Sequence, residues 1–399
     1  MHLPDPVRLI TALAATDRRV VVVATGGGSL AIPHLLTTPG ASRVVLAAEV
    51  PYAEAAVDRL LGGPQESYCS SRTARRLAAA AWQRACLLDA GGADGEELAA
   101  ARSRAVGLAV TASLKTTRPK RGCHRIAAAV QTLEATHVAE LVLTKDARSR
   151  DDEERLAAAV VLDLLAEGCG LPADCRPRLA ASLLPGERVA GDAVIAPPAW
   201  RDLLTGERAA VAIGDDASAP SSGGLIFPGS FDPLHEGHRL MARIAEEIAE
   251  RPLAFELSVT NVDKPMLDFI AIRDRAAQFV GQRLWLTRAA TFVAKLDVFP
   301  ESTFVMGADT YARLADPRYY GGSAAVAAEA ADAIASRARG LIVFGRAREG
   351  GFEDAASLDV PPRLKEVSYF VSQREFRLDI SSSDLRQREA IRGDSTCGP

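Results

Sequence analysis

The hydrophobic pattern of the first 170 residues alternates short apolar runs with Ala-rich segments of helical period. Five apolar runs predict buried strands, at 19–24, 44–48, 106–111, 125–132 and 138–144. Segments with apolar residues at helical spacing predict helices at 28–36, 71–89 and 151–168. Strands that alternate with helices are typical of helices packed around a sheet. Residues 1–170 are therefore predicted to form one α/β domain.

The pattern changes after residue 170 and resumes near residue 224. In 171–223 the periodicity fades and turn formers accumulate, which predicts a connecting segment. From 224 to 392 a second α/β pattern predicts strands at 225–228, 254–260, 303–306, 340–344 and 367–371. Helices are predicted at 238–250 and 382–391, and residues 393–399 are left as a tail. We therefore expect two different α/β domains.

Composition and charge restrict the class of partner. The chain has 399 residues, 48% hydrophobic and 25% charged, as in an ordinary globular protein. Its 47 Lys and Arg against 51 Asp and Glu give a net charge of −4, which offers no general attraction to nucleic acid or acidic membranes. No apolar stretch reaches the roughly 18 residues of a membrane span, and the first 15 residues lack a signal-peptide pattern. We expect a cytoplasmic protein that binds neither nucleic acid nor membranes, with a homo-oligomeric state left open.

Cysteine and histidine spacing argues against a metal held by protein ligands. The six cysteines form no C-x-x-C pair and share no metal-ligand spacing with the six histidines. We therefore predict no protein-built metal site.

The segment FPGSFDPLHEGHR at 227–239 carries the strongest chemical signal. A predicted strand ends at Phe227, a turn rich in Gly, Asp and Pro follows, and His235 and His238 stand where the next helix begins. Being three residues apart, the two imidazoles share one face of the first helical turn. That turn has unpaired N–H groups and partial positive charge, so it suits a phosphate, and Gly237 lets the ligand approach the backbone. In isolation, such a pair is more often a helix cap and a core residue.

Two further segments follow predicted strands. In ISSSDLR at 380–386 the serines can cap the final helix, whose first N–H groups can receive phosphate oxygens, and Arg386 can add charge-assisted hydrogen bonds. In FVMGADTYAR at 304–313, Gly307 and Asp309 come directly after a strand. An Asp at this position is also a common helix N-cap.

These three segments resemble motifs of one superfamily. GSFDPLHEGH resembles the GxFDPxHxGH signature of the nucleotidylyltransferases, and ISSSDLR is similar to their ISSTxxR signature, with Ser383 in place of Thr. The GAD segment resembles that of the nicotinamide mononucleotide (NMN) and nicotinate mononucleotide adenylyltransferases. The resemblance implies a Rossmann-like domain with a mainly parallel sheet, in which His235, His238 and Arg386 are catalytic. The nucleotide-binding residues that it implies are Gly229, Ser230, Phe231, Asp232, Gly237, Gly307, Asp309, Ile380, Ser381, Ser382 and Ser383.

The implied reaction requires no protein base. The phosphate of a mononucleotide attacks the α-phosphorus of a nucleoside triphosphate, and pyrophosphate leaves. Because the attacking phosphate is already an anion at pH 7, catalysis reduces to alignment and to stabilisation of charge on the triphosphate. Mg²⁺, held mainly by phosphate oxygens, is the implied cofactor and accompanies ATP. Asp232 is then expected to organise the turn.

The N-terminal part resembles a second family. ATGGGSL at 24–30, LLTTPGAS at 35–42 and EVPYAEAAVDRLLG at 49–62 resemble the C-terminal domain of the CinA family, which includes NMN amidohydrolases. The resemblance implies an α/β/α fold and places Ser42 and Tyr52 at the family's catalytic Ser and Tyr. Val57 stands where the family has its Lys, and Val cannot accept a proton. We expect a retained scaffold with a vestigial site, its deamidase activity lost or altered.

Three functions follow from these arguments. The first is an adenylyltransferase-like enzyme that transfers AMP from ATP to NMN or nicotinate mononucleotide. The presence of a CinA-like domain in the same chain suggests a role of this enzyme in NAD metabolism, but this argument rests on association and gives no mechanism. The second keeps the fold but uses CTP or another acceptor, such as phosphopantetheine. The third is a non-catalytic nucleotide-binding sensor or scaffold, which the intact HEGH and ISSSDLR motifs disfavour.

Overall fold

Two compact units make up the described part of the chain. The computed structural model describes residues 5–118, 120, 122–177, 179–214, 220–348, 351–353 and 355–376. Of these, residues 5–201 and 264–272 form unit 1, and residues 202–263 and 273–376 form unit 2. Each unit is built on its own large sheet.

Unit 1 contains a six-stranded mixed sheet, sheet A. Its strands are β1 (Arg19–Thr25), β2 (Val45–Glu49), β3 (Ala105–Ser113), β4 (His124–Gln131), β5 (Ala135–Leu143) and β6 (Val189–Ile195). Its helices are α1 (Pro6–Ala15), α2 (Ala31–Leu36), α3 (Glu54–Leu61), α4 (Ser71–Ala90), α5 (Glu96–Arg104) and α6 (Arg150–Gly168). The strand order is β2-β1-β3-β4-β5-β6, with β1 parallel to β2 and β3 and the other neighbours antiparallel. The strands and helices predicted before residue 170 are all present.

Two long helices cover opposite faces of sheet A. A side chain at Gly107 of β3 would collide with the backbone of α4 at Ala78, so the glycine permits close packing of helix on strand. The neighbouring Leu108 points to the other face, into a core that includes Leu162 and Leu165 of α6. This alternation confirms the predicted α/β class for unit 1.

The remaining elements belong mostly to unit 2. The strands are β7 (Ala210–Ile213), β8 (Leu225–Pro228), β9 (Leu253–Ser258), β10 (Leu284–Thr287), β11 (Thr303–Gly307), β12 (Gly340–Phe344), β13 (Arg346–Arg348), β14 (Gly351–Glu353) and β15 (Ser368–Val371). The helices are α7 (Pro198–Thr205), α8 (Glu236–Ala249), α9 (Phe269–Ala276), α10 (Phe292–Val298), α11 (Ala308–Arg313), α12 (Ala324–Arg337) and α13 (Pro362–Glu366). The helix predicted at 382–391 lies outside the described residues.

Seven strands of unit 2 form sheet B, in the order β15-β12-β11-β8-β9-β10-β7. All neighbours are parallel except β7, which is antiparallel to β10. The mainly parallel sheet predicted for this part is therefore confirmed. From β8 the chain builds outward through β9 and β10, and then returns to the other side of β8 to add β11, β12 and β15. Strands β8 and β11 thus flank a topological switch point, where ligands bind in open α/β sheets.

The segment 171–223, predicted as a connection, contains regular structure. Strand β6 extends sheet A beside β5, and β7 extends sheet B beside β10. Helix α7 lies between these strands in the chain. The domain limits at 170, 223 and 392 remain predictions.

Within the described ranges, no helix combines the length and the apolar character needed to cross a membrane.

Candidate functional site

The turn between β8 and α8 is anchored in the core of unit 2 by one aromatic side chain. Phe231 has a positive φ of 44° and is fully buried. Its ring packs edge-on against Phe255 and Phe279, with centroid distances of 5.4 and 5.2 Å. A Cβ atom on Gly229 would lie 2.5 Å from this ring, so only glycine fits there. The FPGSFDP sequence thus holds the 229–235 turn against the hydrophobic core.

The two predicted histidines lie in contact at the start of α8. His235 is the N-cap residue, just before the helix, and His238 is the third helical residue. Their rings stack with centroids 3.8 Å apart and an interplanar angle of 25°. The backbone N–H of His235 donates to Nδ1 of His238 over 3.3 Å. Because Nδ1 accepts this bond, a neutral His238 ring carries its proton on Nε2.

Burial favours the neutral form of both imidazoles at pH 7. Burial lowers the pKa of His235, and burial together with the neighbouring His235 lowers the pKa of His238 to about 3. Phe231 packs edge-on against the His238 ring at 5.1 Å, which explains part of the lost hydration. The pair therefore offers neutral imidazole nitrogens, which suit hydrogen bonding to a ligand and not a fixed positive charge.

These lowered pKa values predict a loss of stability in mild acid. In the unfolded chain the pKa of His238 returns to about 6.5, so between pH 6.5 and about 3 the unfolded state binds more protons than the folded state. The free energy of unfolding is therefore expected to fall as the pH drops from 7 to 5. Urea denaturation of the His238→Gln variant should show a smaller fall than that of the wild type over this range. Equal falls in the two proteins would contradict the assigned pKa.

The carboxyl ends of β8 and β11 bring a second predicted segment beside this turn. The two strands pair in parallel, with Leu225 opposite Thr303, so Gly229 and Gly307 emerge at the same edge of sheet B. Gly307 has an ordinary φ of −86°, and a Cβ atom built on it meets no heavy atom of the described residues within 4 Å. Neither conformation nor packing therefore demands this glycine, and the space above it is open to a ligand.

The structure places Asp309 in the first turn of α11, two residues after the N-cap. The N-cap of α11 is Gly307, so the alternative that Asp309 caps the helix is not seen. Arg386 and residues 380–383 lie outside the described residues, and their convergence with the histidines remains a prediction.

The sequence predicted a structural role for Asp232 but did not reveal the two residues that bind the turn around it. Its carboxylate accepts a hydrogen bond from Nη2 of Arg275 at 3.0 Å, which fits the expected role in organising the turn. Arg275 in the last turn of α9 and Gln278 just after it were not singled out from the sequence. Both contact the turn that carries the histidines, although Arg275 lies 45 residues after Ser230 and Gln278 lies 44 residues after Leu234.

The structure shows the surroundings of the residues predicted for a vestigial N-terminal site, whose activity it does not test. Ser42 lies exposed in a short turn, and Tyr52 is 72% exposed. Neither side chain makes a hydrogen bond to another residue that the structure describes. Val57 is buried in α3, so its position belongs to the core.

Comparison with known proteins gives the class of the C-terminal part. Residues 226–388 match the family model described as Cytidylyltransferase-like. The match confirms that this part is a nucleotidyltransferase-superfamily domain, as predicted from its motifs. No curated protein matches the chain significantly.

Solved structures of CinA-superfamily proteins match the N-terminal part. The Escherichia coli protein ECK1530/EC0983 is 18% identical, with a TM-score of 0.32, and the match covers 42% of this chain and 94% of that one. The protein CihA from Agrobacterium tumefaciens is 20% identical, with a TM-score of 0.31, and the match covers 42% of this chain and 98% of that one.

Proposed function

We propose that the chain is an enzyme that transfers AMP from ATP to the phosphate of a pyridine mononucleotide, NMN or nicotinate mononucleotide, and releases pyrophosphate. The observation that carries the proposal is the stacked pair of His235 and His238 beside the switch point of sheet B. The family match over 226–388 supports nucleotidyl transfer in general. The GAD segment after β11 supports the adenylyl group and the pyridine acceptor.

The proposed mechanism depends on alignment and on hydrogen bonding. An oxygen of the acceptor phosphate forms a bond to the α-phosphorus, while the bond from that phosphorus to the bridging oxygen breaks and pyrophosphate leaves with the electron pair. Nε2–H of His238 donates to a triphosphate oxygen and stabilises the charge that develops there. The backbone N–H groups at the start of α8 add to this stabilisation. Mg²⁺ enters with ATP as part of the substrate, and within the described ranges no cluster of His, Cys, Asp and Glu side chains could hold it.

A cytidylyltransferase is the second candidate. The description of the matched family names cytidylyl transfer, and the histidine pair would serve CTP equally well. Base preference depends on contacts to the base, whereas the role proposed for the histidines is to bind phosphate.

We also propose that the N-terminal part has lost deamidase activity or has altered it. Exposed Ser42 lacks a side-chain partner among the described residues, and a buried Val57 takes the place of the base. We therefore expect no ammonia from NMN above the uncatalysed rate. Ammonia release that depends on Ser42 would contradict this part of the proposal.

A substrate panel tests the proposed function. ATP or CTP is incubated with Mg²⁺ and with NMN, nicotinate mononucleotide or phosphopantetheine, and pyrophosphate is measured. We expect release with ATP and a pyridine mononucleotide, and none when the acceptor is omitted. Pyrophosphate release with CTP and an acceptor, but not with ATP and any acceptor, would favour the second candidate. ATP binding without release for any acceptor would favour a nucleotide sensor instead.

A further inference from the structure

The backbone of the histidine-bearing turn is held by two side chains, Arg275 in the last turn of α9 and Gln278 just after that helix. Nη1 of Arg275 donates to the carbonyl oxygen of Ser230 at 2.9 Å, and Nη2 donates to the Asp232 carboxylate at 3.0 Å. Only 13% of the Arg275 side chain is exposed, so the guanidinium is a largely buried clamp and not a surface charge. A planar guanidinium can make both bonds at once, which a lysine ammonium cannot do in the same geometry.

Gln278 binds the same turn on the histidine side. Its Oε1 accepts from the backbone N–H of Leu234 at 2.8 Å, and its Nε2 donates to the carbonyl oxygen of Phe231 at 3.2 Å. Its own backbone carbonyl accepts from Arg239 of α8 at 3.4 Å. Gln278 thus links the turn before the histidines to the helix after them.

We propose that Arg275 and Gln278 are positioning residues for nucleotidyl transfer, which set the turn so that His235 and His238 face the triphosphate. This inference rests on the proposed function. Phe231 anchors one side of the turn in the core, and the two polar side chains fix the backbone on either side of it. Because a displacement of about 1 Å of a catalytic group can cost about 10²-fold in rate, loss of these bonds is expected to slow nucleotidyl transfer.

The structural part of the inference is tested by hydrogen–deuterium exchange. We expect the Leu234 amide to exchange at least tenfold faster in Gln278→Ala than in the wild type. In Gln278→Glu the Leu234 amide should stay protected, because the carboxylate still accepts its N–H bond. This variant loses only the bond that Gln278 donates to the carbonyl oxygen of Phe231. The control is Arg337→Ala, which removes an exposed pair with Asp297 in the same unit and should leave this amide unchanged. A Leu234 amide that exchanges at the wild-type rate in Gln278→Ala would overturn the inference that Gln278 holds the turn.

The functional part is tested by kinetics and by MgATP binding. Arg275→Lys and Gln278→Ala should lower kcat at least tenfold, with the KM for the pyridine mononucleotide within threefold of the wild-type value and far-UV circular dichroism unchanged. Gln278→Glu should recover part of the rate lost in Gln278→Ala. A kcat within twofold of wild type in both Arg275→Lys and Gln278→Ala would overturn the positioning role.

A failure of the proposed function gives a different pattern. In that case the wild type releases no pyrophosphate with any substrate pair. MgATP affinity at least tenfold weaker in Gln278→Ala would then still support positioning for a bound triphosphate. Equal affinities of the wild type and Gln278→Ala for MgATP would overturn the positioning role.

Discussion

Replacing His238 by alanine is expected to lower kcat/KM for pyrophosphate release by about 10²–10³-fold. The variant loses the Nε2–H donor for the triphosphate and also the Nδ1 acceptor of the His235 backbone N–H. Its effect should therefore exceed that of His238→Gln, whose side-chain amide still supplies a donor. Steady-state kinetics with ATP and the best acceptor from the substrate panel measures both effects.

A matched control separates the site from a general effect of losing a histidine. His34→Ala changes a half-buried histidine in α2 of unit 1 and should leave the rate within about twofold of wild type. His238→Ala with the wild-type rate would show that the active site lies elsewhere.

Replacing Lys295 by methionine is expected to lower the free energy of unfolding by about 3–5 kcal/mol. Lys295 of α10 is 5% exposed, and its ammonium donates to the fully buried carboxylate of Glu256 on β9 at 2.7 Å. It also donates to the carbonyl oxygen of Ala289 at 2.8 Å, and Thr287 donates to the other oxygen of Glu256. Removing one partner leaves a buried charge without compensation, which costs more than the pair itself contributes. Urea denaturation followed by circular dichroism measures the loss.

Two further variants make this prediction specific. Lys295→Met combined with Glu256→Gln should regain most of the stability, because the neutral amide can still accept from Thr287. Arg337→Ala, which breaks an exposed ion pair, should cost less than about 1 kcal/mol. A Lys295→Met variant as stable as Arg337→Ala would show that the buried pair carries no such penalty.

The central strands of both sheets were predictable because burial on both faces gives continuous apolar runs. The runs at 225–228 and 340–344 match β8 and β12 to the residue. Strand β6 gave no such signal. Most of its residues are exposed, and its backbone hydrogen bonds to β5 define it as a strand. Strand β7 is an apolar run, but it is only four residues long and lies in a segment rich in turn formers, so it was missed.

The residues of the candidate site also fall into those that the sequence could predict and those that it could not. Spacing along one helix predicted that His235 and His238 would lie together, and the stacked rings agree. Spacing could not reveal Arg275 or Gln278, since both act on backbone atoms of a turn distant in sequence and such contacts leave no local pattern. At Val57 the sequence indicated the loss of a base, and the structure adds that the position is part of the core.

The pairing of β7 with β10 affects where the chain can be cut. The family match begins at residue 226, yet β7 at 210–213 supplies the last strand of sheet B. A fragment that starts at residue 224 would leave unpaired those backbone N–H and C=O groups of Leu284–Thr287 that bond to β7, while the opposite edge of β10 would stay paired with β9. An unpaired edge recruits strands from other molecules and promotes aggregation. An excised transferase fragment should therefore start upstream of residue 210.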